Sequence, residues 1–337
     1  MKVILISEGG KNIGFGHITR CLALYQAFEE RGTELEFIVN GDNSILDLLK
    51  DKYCQIFNWI KEKNKMTKLV SSSDMAIIDS YLADKSLYNS ISKITNGRLV
   101  MIDDYNRLEY PKGIIVNPSI YGDKIVYPQK KGLTYLSGKD YVILRKEFWN
   151  VPGKKINKNI KKVMITFGGA DEKDMTGKVL QFLKDNDFEF TKKVIVGKGF
   201  KSAEYIQKFK DPITDLIYYP NTKEMKGLML ESDLAISSAG QTLNEFARVG
   251  LPTIAIALAD NQLNNAKGWQ EAGFVRYAGW WQDAKSLEKI GQFINQLADP
   301  NQRANIYRAG KKFIDGKGCT RIVDYVFNRY YKENRQN

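Results

Sequence analysis

The chain is poor in the residues that metal and redox sites use. Its 337 residues include one histidine and three cysteines. Cys21, Cys54 and Cys319 are scattered, without the CxxC spacing of a zinc or dithiol site. We therefore expect reduced, buried thiols in a cytoplasmic protein, with no metal ion and no cofactor.

Long apolar runs are also missing. No segment approaches the roughly 20 apolar residues of a membrane-spanning helix, and the apolar run at 3–6 is too short for the core of a signal peptide. We expect no stable membrane insertion. The formal net charge of +12 indicates an anionic partner. The lysine-rich segments 61–68 and 154–162 lack an aromatic ladder or a nucleic-acid motif, so we expect solvated surfaces and no nucleic acid.

The length predicts two domains, because domains usually span about 100–200 residues. Strand-like and helix-like segments alternate, which indicates right-handed crossovers and parallel sheets. In the first half, strands are expected at 3–6, 35–39, 75–78, 99–102, 114–116 and 141–144, and helices at 45–50 and 85–94. In the second half, strands are expected at 163–167, 193–196, 216–219, 234–237 and 253–257, and helices at 243–249, 263–272 and within 287–331.

The boundary between the domains is expected near residue 152. Residues 1–152 would form an N-terminal domain, and 163–315 a second α/β domain. Between them, 153–162 combines glycine with dense charge and lacks periodicity, which is typical of a linker. The last segment, 316–337, would be a C-terminal helix that could pack back on the N-terminal domain.

The single histidine closes a glycine loop, Gly14-Phe15-Gly16-His17, between the first strand and an amphipathic helix. The N–H groups of a helix's first turn have no helical partners and attract anions. The positive end of the helix disfavours imidazolium, so we expect His17 to be neutral and able to accept a proton from water or a sugar hydroxyl. Capping or packing is the commoner role for a single histidine, but the flanking glycines favour a site. The loop is neither a Walker loop nor a GxGxxG fingerprint.

A second group of candidate residues follows the strand at 234–237. Ser238-Ala239-Gly240-Gln241-Thr242 leads into a helix whose N-terminus could receive a pyrophosphate. Glu245, in the first turn, could accept hydrogen bonds from a ribose or act as an ordinary capping partner. Asp260-Asn261-Gln262 follows the strand at 253–257, at the edge where ligands bind in such sheets. Alternatively, these three residues could cap the helix at 263–272 instead of binding a ligand.

Several segments share their order and spacing with one known family. They are Gly14-Phe15-Gly16-His17-Ile18-Thr19-Arg20, Ile102-Asp103-Asp104-Tyr105, Asn117-Pro118, 141–148, Phe167-Gly168-Gly169-Ala170-Asp171, Ala239-Gly240-Gln241-Thr242 with Glu245, and Asn261-Gln262. Together they resemble the UDP-sugar hydrolase of the pseudaminic acid pathway, within the GT-B glycosyltransferase superfamily. The resemblance covers most of the chain.

The resemblance implies an α/β fold of GT-B type, with two Rossmann-like, doubly wound parallel-sheet domains that face a cleft. It implies that His17 activates water to attack the anomeric carbon of a UDP-linked 2,4-diacetamido-2,4,6-trideoxyhexose, releasing UDP with inversion. The implied sugar contacts are Gly14, Gly16, Arg20, Asp104, Tyr105, Arg145, Asn261 and Gln262. The implied UDP contacts are Gly168, Gly169, Met225, Ala239, Gly240, Gln241, Thr242 and Glu245.

Two alternatives stay open from the sequence. A glycosyltransferase would use the same nucleotide site and a similar base, since water and alcohols are similar nucleophiles. A non-catalytic nucleotide-sugar binder would fit the basic charge equally well. Gln241 stands where relatives more often carry a small or hydroxyl residue, which affects the identity of the sugar. A monomer is the default expectation, and the product would feed pseudaminic or related nonulosonic acid biosynthesis for surface polysaccharide or flagellin glycosylation.

Overall fold

The computed structural model describes residues 1–11, 13–200 and 203–331. The chain divides into two compact units. One contains Met1–Trp149 together with Gly316–Asn337, and the other contains Asn150–Asp315. Each unit is built on its own parallel sheet. No described helix is long and apolar enough to cross a membrane.

The N-terminal unit contains a seven-stranded parallel sheet in the order β3-β2-β1-β4-β5-β6-β7. Its first strand is buried on both faces: Val3 and Leu5 belong to one apolar cluster, and Ile4 and Ile6 to the other. This double burial explains the continuous apolar run in the sequence. The strands are β1 (Lys2–Gly9), β2 (Glu34–Gly41), β3 (Cys54–Ile56), β4 (Met75–Asp79), β5 (Leu99–Ile102), β6 (Gly113–Asn117) and β7 (Leu133–Ser137).

Helices cover both faces of this sheet. The amphipathic helix predicted after the glycine loop is confirmed, and its apolar residues Ile18, Cys21 and Phe28 are completely buried. The last helix packs beside it and contributes Cys319, Ile322, Val323 and Val326 to the same cluster. The helices of this unit are α1 (Gly16–Glu29), α2 (Lys63–Ser71), α3 (Lys85–Ile94) and the last described helix of the chain, Gly318–Tyr331.

The strand predicted at 141–144 is wrong. Lys139–Tyr141 forms a 3-10 turn, and the seventh strand is β7. Residues 142–144 are buried, but they do not belong to a strand. The carbonyl of Leu144 accepts hydrogen bonds from the indole N–H of Trp149 (2.8 Å) and the thiol of Cys319 (3.4 Å). Packing beneath the last helix therefore explains this apolar run.

The helix predicted at 45–50 is also wrong. Asp42 accepts a hydrogen bond from the backbone N–H of Ser44 and caps a 3-10 turn at Asn43–Ile45, after which the chain continues in turns. The sequence reasoning missed two strands besides β7. The first is the three-residue β3, and the second is Val275–Trp280 at the edge of the other sheet. Both are short or polar in pattern, so they give little periodic signal.

The C-terminal unit contains a six-stranded parallel sheet in the order β10-β9-β8-β11-β12-β13. Its strands are β8 (Lys162–Thr166), β9 (Thr191–Val196), β10 (Thr214–Tyr218), β11 (Leu234–Ser238), β12 (Thr253–Ala257) and β13 (Val275–Trp280). Its helices are α4 (Met175–Asp185), α5 (Ala203–Gln207), α6 (Thr222–Glu231), α7 (Thr242–Val249), α8 (Leu263–Glu271), α9 (Ser286–Gln296) and α10 (Pro300–Phe313), so that Gly318–Tyr331 is α11.

Candidate active site

Both sheets have the topological switch point at which doubly wound folds bind ligands. In the N-terminal unit it lies between β1 and β4, and in the C-terminal unit between β8 and β11. At such a point the connections leave neighbouring strands in opposite directions, which opens a crevice at their carboxyl ends. The glycine loop with His17 lies at the first of these places, and the turn at Gly168-Gly169 and the start of α7 lie at the second.

The glycine loop at the N-terminal switch point is held by its own backbone. The N–H of Gly14 donates to the carbonyl of Gly10 (2.8 Å), and the N–H of Gly10 donates to the carbonyl of Gly14 (3.1 Å). Gly14 has a φ of +87°, a conformation that favours glycine. The helix α1 begins at Gly16, which is exposed, so His17 lies in its first turn.

His17 pairs with a carboxylate at the end of the neighbouring strand. Its Nδ1 lies 2.7 Å from Oδ1 of Asp79, the last residue of β4. Arg20, one turn further along α1, donates to both oxygens of the same carboxylate, with each distance 2.7 Å. Asp79 is completely buried, so both partners compensate a charge that has left water.

Two more acidic residues complete this cluster. Arg20 also donates from Nη1 to Oδ1 of Asp104 (2.7 Å), which in turn accepts from the hydroxyl of Tyr81 (2.9 Å). The ring of Tyr81 contacts the imidazole of His17 edge to face, with centroids 4.5 Å apart. Glu8, near the end of β1, places Oε1 3.9 Å from Nε2 of His17. The cluster therefore places the imidazole of His17 and the guanidinium of Arg20 beside three carboxylates. These belong to Glu8, Asp79 and Asp104.

The electrostatics of the cluster correct one expectation. Burial, the largest influence, lowers the pKa of His17, but the charge and hydrogen bond of Asp79 outweigh it and raise the pKa above its ordinary value. The expectation that the helix N-terminus keeps His17 neutral is wrong in direction, because it did not include Asp79. Burial opposes the charge of Asp79, yet the guanidinium of Arg20 and the imidazole lower the pKa of Asp79 to about 2. This carboxylate is therefore ionised at neutral pH.

The predicted sugar-contacting residues of this unit do not all fall in the cluster. Arg20 and Asp104 are part of it, and the ring of Tyr105, which is 43% exposed, lies 5.8 Å from that of Tyr81. Arg145 precedes a 3-10 turn and lies over the ring of Phe148. The assignment of Arg145 to the sugar site stays a prediction.

In the C-terminal unit, the strand β8 runs into the predicted glycine turn. Gly168 has a φ of +89°. The carbonyl of Gly169 accepts from the N–H of Gly199 (2.9 Å), and a Cβ at Gly197 would lie 2.3 Å from that carbonyl oxygen. Asp171 accepts from the N–H groups at the start of α4. The turn is therefore fixed by the hydrogen bond from Gly199 to Gly169 and by those from the start of α4 to Asp171.

The helix α7 begins at the adjacent strand end, β11. The side chain of its N-cap residue, Gln241, makes no capping hydrogen bond, and the N–H groups of Leu243 and Asn244 donate to the carbonyls of Gly240 (3.2 Å) and Gln241 (3.0 Å). Asn265 donates to the carbonyls of Ala239 (2.8 Å) and Gly240 (3.1 Å), which fixes the backbone that enters the helix. A Cβ at Gly240 would have no neighbour closer than 3.8 Å, so this backbone is approachable. Gln241 accepts from Asn244 (3.0 Å) through its side-chain oxygen. A helix start without a side-chain cap from its N-cap residue, beside an open glycine, suits a phosphate.

The remaining predicted residues occupy the same edge of the sheet. Glu245 is buried in the first turn of α7. Met225 lies in the first turn of α6, which Asn221 starts with a capping box. Asn261 is exposed, whereas the side chain of Gln262 accepts from the N–H of Leu258 (3.0 Å). The 3-10 turn Asp260–Gln262 provides no side-chain cap for α8, so the capping alternative is not observed.

The sequence reasoning missed Glu8, Asp79 and Tyr81. Each lies at or just after the carboxyl end of one of the two central strands, β1 and β4. The pairing of these strands could have been anticipated from the order of a doubly wound sheet, since β1 and β4 are then neighbours. Asp79 closes an apolar run at a strand end, which is the available signal.

Comparison with known proteins first identifies the type of fold. Residues 159–317 match the family model described as the glycosyltransferase family 28 C-terminal domain. The structure of Acinetobacter baumannii MurG superposes with a TM-score of 0.67 at 14% identity, covering 97% of this chain and 99% of that one. A UDP-GlcNAc 2-epimerase from Neisseria meningitidis superposes with a TM-score of 0.63 at 12% identity, covering 97% and 100%. The chain therefore has a fold of GT-B type.

Proteins of similar sequence give a more specific resemblance. The chain is 24% identical to the Bacillus subtilis spore coat polysaccharide biosynthesis protein SpsG, covering 99% of this chain and 100% of that one. It is 23% identical to the UDP-2,4-diacetamido-2,4,6-trideoxy-beta-L-altropyranose hydrolase of Campylobacter jejuni, covering 81% and 98%. These relatives confirm the resemblance to the family of pseudaminic acid pathway UDP-sugar hydrolases.

Two matched relatives are much longer than this chain. A Methanocaldococcus jannaschii protein is 26% identical over 76% of this chain, which spans 55% of its length. A Helicobacter pylori pseudaminic acid cytidylyltransferase and UDP-2,4-diacetamido-2,4,6-trideoxy-beta-L-altropyranose hydrolase is 25% identical over 88% of this chain, which spans 52% of its length. The chain thus corresponds to about half of these relatives.

Proposed function

We propose that the chain is an enzyme that acts on a UDP-sugar, and that it hydrolyses a UDP-linked 2,4-diacetamido-2,4,6-trideoxyhexose to the free sugar and UDP. The observation that carries the proposal is the 2.7 Å contact between Nδ1 of His17 and Asp79. A carboxylate at Nδ1 holds the proton there, so that Nε2 is the proton acceptor. The names of the relatives support the choice of substrate.

In the proposed reaction, Nε2 of His17 removes a proton from water as the water oxygen attacks the anomeric carbon. The bond between that carbon and the UDP oxygen breaks, its electron pair leaves with UDP, and the anomeric configuration inverts. Asp79 stabilises the imidazolium that forms. Because Asp79 is ionised and bonded to Arg20, it does so without itself taking up the proton.

The C-terminal unit would bind UDP. The start of α7 and the open backbone at Gly240 would provide N–H groups for the diphosphate, whose charge increases as the bond breaks. Glu245 would accept hydrogen bonds from the ribose, and the segment at 221–225 would lie near the uracil. Asn261 and Gln262 would contact the sugar, as would Arg20, Asp104 and Tyr105.

The direct test is incubation of the purified protein, without any acceptor, with UDP-2,4-diacetamido-2,4,6-trideoxy-altrose. Proton and phosphorus NMR follow the sugar and UDP. We expect stoichiometric release of both with inverted configuration at the anomeric carbon. Retention of the intact substrate by a protein that binds UDP would contradict the hydrolase.

The second candidate is a glycosyltransferase. The match of residues 159–317 to a glycosyltransferase family 28 C-terminal domain favours it. A transferase would leave the UDP-sugar largely intact until an acceptor hydroxyl is supplied, whereas the hydrolase is indifferent to the acceptor. The same incubation with and without added alcohols or glycans therefore separates the two candidates.

A further inference from the structure

Glu8 is a buried carboxylate that the reaction proposed above leaves without a role. It is 1% exposed, near the end of β1. Its Oε1 accepts hydrogen bonds from the backbone N–H groups of Tyr81 (2.6 Å) and Leu82 (3.3 Å). Its Oε2 is buried and accepts no hydrogen bond from the described residues. A buried carboxylate oxygen without a donor is unfavourable, so such an atom calls for an explanation.

The same carboxylate lies close to the imidazole of His17. Oε1 of Glu8 lies 3.9 Å from Nε2 of His17, which is too far for a direct hydrogen bond. With the imidazole proton on Nδ1 and directed at Asp79, Nε2 and the Glu8 carboxylate are both acceptors. One water molecule can donate one O–H to each of two acceptors at this separation, through hydrogen bonds of about 2.8 Å.

We propose that Glu8 is the second acceptor for the nucleophilic water, and that together with His17 it selects water over an alcohol as the nucleophile. The inference rests on the proposed hydrolase function. One proton of the water moves to Nε2 of His17 as the oxygen bonds to the anomeric carbon and UDP leaves with the electron pair. The other proton is directed at Glu8 during the attack and stays on the oxygen, which becomes the anomeric hydroxyl of the product.

Selection follows from the number of O–H groups. Water has two and fills both acceptors, while its lone pair is directed away from them toward the sugar. An alcohol has one, so it leaves either His17 without a proton to accept or the buried Glu8 carboxylate without the additional donor that water supplies. A buried acceptor that loses its donor is penalised, and the alcohol is disfavoured by that amount.

The test is the partition of product between free sugar and methyl glycoside, measured by NMR with a fixed proportion of methanol in the reaction. The variant is Glu8→Gln, which can keep an amide oxygen for the N–H groups of Tyr81 and Leu82 but removes the negative charge that makes Glu8 a strong acceptor for the water, and turns its other oxygen into an NH₂ donor. The matched control is Glu36→Gln, a buried carboxylate on β2 that bonds Gln55 (2.7 Å). The partition is a ratio of two products, so it does not depend on the fraction of folded enzyme.

We expect Glu8→Gln to lower the rate of hydrolysis by about 10- to 100-fold, the scale of a hydrogen bond to a charged group, and to raise the fraction of methyl glycoside. UDP affinity should be unchanged, and Glu36→Gln should give the wild-type partition. A wild-type partition in Glu8→Gln overturns the inference while leaving the hydrolase intact. Absence of UDP release from the wild-type protein overturns the hydrolase itself.

A crystal structure of the wild-type protein with UDP provides a test that needs neither a variant nor turnover. It should show a water oxygen within hydrogen-bond distance of both Nε2 of His17 and a carboxylate oxygen of Glu8. A direct hydrogen bond between the two side chains, with no water between them, would contradict the inference.

Discussion

Nδ1 of His17 lies 2.7 Å from Oδ1 of Asp79, and Arg20 clamps the same carboxylate through two nitrogens. In the proposed reaction this pairing holds the imidazole with Nε2 as its proton acceptor. The pair joins the first turn of α1 to the end of β4, and its two residues are 62 positions apart in the chain. The proposed chemistry depends on this one relationship.

Removal of the base should abolish most turnover. His17→Asn retains a polar side chain of similar size but cannot accept and hold the proton, so kcat should fall by about 100- to 10,000-fold, the usual contribution of a general base. UDP affinity, measured by calorimetry, should be unchanged because the proposed UDP contacts are on the other unit. Wild-type turnover in this variant would rule out His17 as the base.

Removal of the orienting carboxylate should have two separable effects. Asp79→Asn leaves the buried guanidinium of Arg20 with only one of its two charged partners, Asp104, at a cost of up to about 3–5 kcal/mol in the free energy of unfolding. It should also lower kcat, because an amide no longer fixes the imidazole tautomer. Urea unfolding and steady-state kinetics measure the two.

The matched control for Asp79→Asn is Asp103→Asn. Asp103 is a buried carboxylate just after the neighbouring strand, where it accepts from the hydroxyl of Tyr127 (3.0 Å). The Asp103→Asn variant should have a lower free energy of unfolding than the wild type and the same pH profile of kcat/KM. Equal changes of the profile in both variants would show that Asp79 acts only through the fold.

The pH dependence follows from the raised pKa of His17. As a base, His17 must be deprotonated, so the acidic limb of kcat/KM should lie above the ordinary histidine value of about 6.5. For stability the sign is opposite. Protonated His17 is favoured in the folded state, so its contribution is fully present below about pH 6.5 and is lost as the pH rises through the folded pKa.

Two measurements check this pH dependence. One is the kcat/KM profile of the wild type and Asp79→Asn, in which the variant's acidic limb should move to lower pH. The other is the difference in unfolding free energy between the wild type and His17→Asn, which should shrink with rising pH. A wild-type limb below the ordinary histidine value would conflict with the observed pairing.

The proposed ribose contact should be separable from the chemical step. Glu245→Ala should weaken UDP binding and raise KM with a smaller effect on kcat, because the ribose is remote from the bond that breaks. Glu231→Ala is the control, since this half-exposed residue pairs with Lys162 at 2.9 Å on the opposite end of the strands. If Glu245→Ala binds UDP as tightly as the control, the ribose assignment is wrong.

The glycines of the C-terminal unit provide a contrasting pair. Gly240→Ala has room for its methyl group, so stability should change little, but the methyl would occupy the surface proposed to receive the diphosphate. Its UDP affinity should fall by about 10-fold or more, as expected when close backbone approach to a phosphate is lost. Gly197→Ala places its Cβ 2.3 Å from the carbonyl of Gly169 and should instead lower the melting temperature. Thermal denaturation and UDP titration of both variants give the comparison.

The sequence predicts most of the regular structure because burial controls it. The strand at 99–102 and the helix at 85–94 were predicted with the bounds observed, since their apolar positions follow the period of each element. The run at 142–144 misled the same reasoning, because a buried loop and a buried strand have the same apolar pattern. Only the carbonyl partners of Leu144, which come from Trp149 and Cys319, distinguish them.

The candidate site was only partly predictable. His17 could be found because it is the single histidine and is flanked by glycines, and Arg20 and Asp104 were named through the resemblance. Asp79 and Glu8 could not be found from the sequence. Each is an ordinary acidic residue in the chain, and only the pairing of β4 with β1 in the sheet brings them to His17. The predicted direction of the shift in the pKa of His17 was therefore wrong. The helix terminus is next to His17 in the sequence, whereas the carboxylate of Asp79 is 62 residues away.

The most direct test of the account uses water enriched in oxygen-18, with the UDP-linked trideoxyhexose as substrate and mass spectrometry of the UDP released. Attack of water on the anomeric carbon breaks the carbon–oxygen bond, so the account predicts unlabelled UDP and incorporation of the label into the sugar. Label in the UDP would place the attack at phosphorus and contradict the mechanism assigned to His17.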